Sequence, residues 1–263
     1  MKIADVRARA FAMPLNNPSY PRGPYHFYDR EYFVVEYLTD PEALRAIVPE
    51  PLEIIDPIVK FEFIRLPDTT GFGDFTECGQ MIRVGLGGET GTYVHSMYLD
   101  DEAPIAAGRE IWGFPQKLAR LNLSHESEVL VGTLHFGSVP CAIGSMGYKH
   151  IELDPAPILR ELGAPNFLIK IIPHVDGGLR ICELVRYRWQ NVSLKGAWSG
   201  PAALQLFPHA MANVSKLPIL KVLSGTHFIA DVTLGLGEVV HDYLADRIEP
   251  PLQDLSFLTE PAQ

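Results

Sequence analysis

Short apolar or alternating runs recur along this chain, with period two more often than 3.6, and glycine, proline and acidic residues separate them. The runs are EYFVVEYL (31–38), VKFEFIRL (59–66), MIRVGLG (81–87), YVHSMYL (93–99), EVLVGTLHF (128–136), AIGSMGYKHIEL (142–153), FLIKIIP (167–173), LRICELVRYRW (179–189) and HFIADVTLGLG (227–237). Period two sends successive side chains to opposite faces, and valine, isoleucine, tyrosine and phenylalanine suit a pleated, half-buried surface, so each run reads as a strand. Helical patterning is scarce. DPEALRAIV (40–48) opens on an Asp40 cap with Pro41 at the first helical position, DPAPILRELG (154–163) ends on Gly163, and GEVVHDYLADR (237–247) spaces its apolar residues by three and four. With 22 prolines and 22 glycines punctuating so many strands, the expected fold is mainly β (α+β): a curled antiparallel sheet or barrel with a few peripheral helices. No repeat divides residues 1–263, which read as a single domain with a proline-rich C-terminal tail at 247–263.

The hydrophobic content of 47% is ample for a large core. A net charge of −10 and no lysine or arginine run leave no field to attract a phosphate backbone, so a nucleic-acid partner is not expected. Neither a secretory h-region in MKIADVRARAFAMPL nor an apolar run of about 18 residues is present, so no membrane association is expected. Cys78, Cys141 and Cys182 are odd in number and lack CxxC spacing, which fits a reducing, cytoplasmic setting.

Most chemical motifs are missing. Nine histidines are scattered singly without HExxH spacing, so neither a metal nor another cofactor is expected. GLGGETG (85–91) lacks the GK[ST] ending of a phosphate loop and reads as a hairpin turn, and no GxSxG elbow supplies a serine nucleophile. Lys60 and Lys170 lie within strand runs, where a lysine ordinarily faces solvent. Glu62 and Glu77 are flanked by apolar or small residues, and burial of either requires a partner or a proton. Arg30 sits among aromatics in PYHFYDREYF and reads as a stacked arginine paired with Asp29 or Glu31. In GREIWGFPQKLAR (108–120), Lys117 follows a cluster of aromatic, glycine and proline residues, the setting of a lysine in a dry pocket or of one at the end of a turn.

Taken together, PRGPYHFYDREYF, VPEPLEI, VKFEF, DTTGFGDFTECGQ, YLDDEAPIAAGRE, VGTLHFG, MGYKHIELD, PNFLIKIIPHVDG, RICEL, AWSGPAALQLFPHAM and LPILKVLSGTHFIAD resemble the acetoacetate decarboxylase family, in family order from about residue 5 to 246. The resemblance implies a cone-shaped, mostly antiparallel β-barrel with peripheral helices, a pocket inside it and a large homo-oligomer. It also implies a lyase that converts a short β-keto acid, acetoacetate, to a ketone and carbon dioxide through a lysine imine. A lysine doing this must lose its proton near neutrality, which an apolar pocket promotes, and this family is itself a standard instance of such activation. By the same resemblance Phe27, Met97, Trp112 and Phe114 form the pocket wall, Arg30 contacts the carboxylate, and Glu77, with Glu62 behind it, positions the reacting groups.

The chain departs from the family at one position. Members carry two consecutive lysines after the proline, and the first forms the imine; here that position is Gln116, and Lys117 is the second. Pro115 favours an extended backbone before it, and extended residues 116 and 117 point to opposite faces. Glutamine is not a nucleophile, since its nitrogen lone pair is delocalised into the carbonyl. Three readings stay open: a bulge that presents Lys117, a pocket that binds keto acids without turning them over, and a diverged aldolase or dehydratase on the same barrel.

Overall fold

A computed structural model describes residues 1–245, so the proline-rich tail expected at 247–263 lies outside the described residues. Within them run α1 (Ile3–Arg9), β1 (Tyr25–Leu38), α2 (Pro41–Arg45), β2 (Glu53–Thr69), β3 (Gly73–Leu86), β4 (Glu89–Leu99), α3 (Glu102–Ala107), β5 (Gln116–Leu118), β6 (Arg120–Glu126), β7 (Val129–Phe136) and β8 (Val139–Gly147). There follow β9 (Ile151–Glu152), α4 (Pro155–Leu162), β10 (Asn166–Pro173), β11 (Leu179–Tyr187), β12 (Trp189–Ser199), β13 (Ala202–Leu206), β14 (Lys221–Leu234) and β15 (Glu238–Asp242). The protein is mainly β, as the alternation predicts.

The strands form two sheets. The larger has the order β15-β11-β10-β4-β3-β2-β1-β14-β12-β9, with β5 added parallel to β4, and the smaller is β13-β8-β7-β6. No pairing joins β9 to β15, so hydrogen bonds do not close the large sheet among the described residues. β11 and β12, each next to an edge strand, are one stretch of chain interrupted only at Arg188.

Both faces of the large sheet are buried, for different purposes. Phe33, Val35, Phe61 and Phe63 point one way, onto Leu123, Leu134, Ala142 and Leu204 of the small sheet, and form a dry core. Tyr32, Val34 and Ile64 point the other way, towards Met97, Trp112, Phe114 and Phe228, around a cavity. Burial on both faces explains why a run such as EYFVVEYL is nearly continuous in apolar residues.

Local signals account for the turns and caps. Gly87 and Gly88 have φ of 58° and 85° between paired Leu86 and Glu89, the two-residue hairpin turn that demands positive φ twice. Asp154 accepts from the Ala156 N–H at 3.0 Å with Pro155 at the first helical position, and Asp40 caps α2 in the same way. Two sequence expectations fail. Residues 238–242 of the supposed helix 237–247 form β15, paired with β11, because Val239 and Val240 suit an edge strand and a sheet edge was available. The run 142–153 is broken by a turn at 148–150, where Lys149 has φ of 49°.

Candidate active site

Strand register lays the cavity out in rows. One row across the large sheet reads Thr226, Val34, Glu62, Gly79, Met97, Gln116; the next on one side reads Phe228, Tyr32, Ile64, Glu77, Leu99. On the other side lie Glu36, Lys60, Met81 and Val94. Rows two residues apart along a strand are about 7 Å apart. Together with Trp112, Phe114, Tyr187 and Trp189 they enclose a cavity of about 280 Å³. All four wall residues expected from sequence, Phe27, Met97, Trp112 and Phe114, line it, as do Arg30, Glu62, Glu77 and Gln116.

Arg30 reaches this face through an irregularity. Strict alternation from Phe27 would turn Arg30 away, but β1 slips against β14 between Phe27 and Arg30, with Asp29 at φ 52°. The guanidinium is then stacked among Trp189, Tyr32 and Phe27, its Cζ 4.5, 4.8 and 5.3 Å from their ring centres. Its partner is neither Asp29 nor Glu31, as sequence proximity suggests, but Glu77, to which Nη2 donates a short hydrogen bond. Arg30 Nε and Nη1 and the Tyr32 hydroxyl are buried without a partner among the described residues. Burial pushes the Glu77 carboxyl up, and Arg30 pulls it only part of the way back. Glu62 is pushed up to about 7, chiefly by burial, with Lys60 opposing.

The loop before β5 aims residue 116. A turn of π-helix, Gly108–Trp112, ends at Gly113 with φ 90°, where a Cβ would also collide with the backbone of Lys170. Trp112 is anchored by its indole N–H on the Gly235 carbonyl at 2.9 Å. Past Pro115 the Gln116 N–H returns to the Phe114 carbonyl at 2.8 Å, and residues 116–118 run extended beside β4. Gln116 is therefore 6% exposed and turned into the cavity, its Nε2 3.5 Å from the Met97 sulfur. Its amide lies where a Cβ on Gly108 would have to be, and its Oε1 has no partner among the described residues. Lys117 points to the opposite face, exposed, its Nζ donating to the Met211 carbonyl at 2.9 Å.

Sequence reasoning missed Lys60. It reads as a solvent-facing strand lysine, yet its side chain is 17% exposed and lies against the cavity, bonded to Glu161 and 3.5 Å from Glu36. Tyr187 and Trp189 were missed as well, since they come together with Arg30 only through the sheet's curl.

A cavity walled by aromatic rings and carrying a part-satisfied buried arginine, two carboxyls and an amide has the chemistry to orient a small organic anion. Comparison with known proteins agrees. The acetoacetate decarboxylase family model matches residues 12–244. Acetoacetate decarboxylase 3 of Mesorhizobium japonicum is 66% identical over 91% of this chain and 93% of its own length. Acetoacetate decarboxylase 1 of Bradyrhizobium diazoefficiens is 62% identical over 93% of this chain and 98% of its own. A crystal structure of acetoacetate decarboxylase from Legionella pneumophila superposes with a TM-score of 0.88 at 48% identity, covering 93% of this chain and 98% of that one. The chain belongs to the acetoacetate decarboxylase family.

Proposed function

We propose that this protein is an acetoacetate decarboxylase-type lyase acting on a short β-keto acid, in a form whose imine-forming position holds an amide. The observation that carries this is the row Glu62–Met97–Gln116 beside Arg30 and Glu77, with Lys117 on the other face. The Arg30 donors without a partner among the described residues take the substrate carboxylate, and the Gln116 side-chain Nε2–H donates to the ketone oxygen. Heterolysis of the carbon–carbon bond releases carbon dioxide and moves the bonding pair towards the ketone, giving an enolate that Gln116 stabilises and that takes a proton at carbon. A lysine at 116 would instead expel water from the ketone, form a protonated imine and drain the same electron pair far more effectively. The orphaned Gln116 Oε1 and the firmly held Lys117 favour a second reading, a pocket that binds without turnover. The same reading brings with it a single domain over 1–263, a cone-shaped barrel architecture, a homo-oligomer and a cytoplasmic setting.

The test restores the amine. Gln116→Lys is expected to raise carbon dioxide release from acetoacetate by about 10²-fold or more, and borohydride with acetoacetate is expected to fix an adduct on residue 116 of that variant alone. A parent protein that traps acetoacetate on Lys117 would overturn the assignment, and a well-folded Gln116→Lys that stays at the background rate would show that the rest of the site serves another reaction.

A further inference from the structure

Lys60 has no part in the chemistry above, yet it is mostly buried and lies one row from Gln116 and Glu62. Burial works against its ammonium, and Glu161, with Glu36 and Glu62, outweighs that effect, so Lys60 stays charged. Its partners are unequal. Glu36 is anchored in β1 and accepts from Ser224 Oγ at 3.0 Å, whereas Glu161 stands on α4 with its side chain 52% exposed.

The same residues mark a boundary. Glu36, Lys60, Met81, Thr92 and Glu161 line both the deep cavity and an adjoining recess of about 390 Å³. The recess balances three acids, Glu36, Asp56 and Glu161, against three cations, Lys60, Arg83 and Arg160. Without Lys60 the balance turns acidic where the two spaces meet. From there inward the rows present Glu62, then Glu77 and Arg30, so an anion moving along the cavity meets a cation, an acid poised near neutrality, and a second cation.

We propose that Lys60 is the docking residue at the doorway of this cavity: an arriving keto acid displaces Glu161 from the Lys60 ammonium, then passes inward to Arg30. The inference rests on the keto-acid reading of the pocket and adds to it a route and an outer anion-binding step. Lys60 is thereby a positioning residue for entry. No bond is made or broken there.

Trp112 and Trp189 line the cavity, so stopped-flow tryptophan fluorescence can follow entry. The probes are acetoacetate and 2,4-pentanedione, a neutral diketone of similar size, with parent, Lys60→Met, Lys60→Arg and Glu161→Gln. Lys60→Met is expected to slow acetoacetate association about tenfold and 2,4-pentanedione by less than about twofold, with the contrast shrinking at high salt. Lys60→Arg is expected to retain most of the parent rate, and Glu161→Gln to exceed it for acetoacetate alone. Equal slowing of both probes in Lys60→Met, or no slowing of either, overturns the proposal while leaving the keto-acid reading intact. Failure of acetoacetate to bind the parent overturns both.

Discussion

Arg30 and Glu31 are neighbours in sequence and occupy opposite faces of one strand, and each is a charged group taken out of bulk water. Arg30 gives one hydrogen bond to Glu77 and leaves Nε and Nη1 unmatched among the described residues. Glu31 is held by two imidazoles, His227 Nε2 at 2.8 Å and His125 Nε2 at 3.3 Å, with His227 fully buried and stacked on Trp198. The carboxyls respond in opposite directions. Burial wins at Glu77 and raises it; at Glu31 burial also acts upward, but the hydrogen bond and charge of His227, aided by His125 and Arg65, bring it below the ordinary range. Charge content alone does not separate a binding site from a structural cluster. What separates them here is spare hydrogen-bonding capacity facing an open volume.

The most severe way to break this contrast is to remove the pocket pair. Arg30→Met should weaken acetoacetate binding about 30-fold or more, measured by calorimetry, since a charge-assisted fork is lost. It should also cost about 3–5 kcal/mol of stability through the stranded Glu77, and Arg30→Met/Glu77→Gln should recover most of that stability without recovering binding. A double variant that binds like the parent would remove the distinction between the two faces.

On the reverse face the pattern inverts. Glu31→Gln should lower stability at pH 7 by about 1–3 kcal/mol in urea unfolding while leaving acetoacetate affinity unchanged. Glu31's native carboxyl lies below its unfolded value, so its contribution is complete above the unfolded value and disappears as pH falls through the native one. Parent and variant unfolding curves should therefore converge in acid.

The finest test uses Glu62, a carboxyl at about 7 on the pocket side. It is mostly neutral at pH 6 and mostly charged at pH 8, so affinity for an anionic keto acid should fall about threefold as pH rises through 7. Glu62→Gln should flatten that profile. A profile that keeps its slope in the variant would assign the titration to another group.

Alternation made much of this legible in advance. The strand runs were visible because short stretches rich in valine, isoleucine and aromatics are bounded by proline and glycine, and the opposite fates of Gln116 and Lys117 follow from the alternation of an extended chain. Arg30's partner was not legible: it depends on a one-residue slip near Asp29 and on register with a strand 47 residues away. Lys60 was missed for a related reason, since Glu161 approaches from a helix 101 residues on. The segment 238–242 was misread because short apolar runs satisfy helix and strand spacing alike, and only a vacant edge beside β11 decides between them.

The junction at Arg188 sets a mechanical condition on the pocket. Tyr187 and Trp189 flank it and both face the cavity, their rings 5.5 Å apart and nearly perpendicular, while Arg188 faces outward and donates to the Gly163 carbonyl. The large sheet thus behaves as a split ring whose gap is spanned by chain rather than by a ladder of hydrogen bonds, most tightly at Arg188 and again over 153–165 and 235–237. Inserting one more residue at 188 would rotate an aromatic jaw out of the ring while sparing every strand pairing on either side.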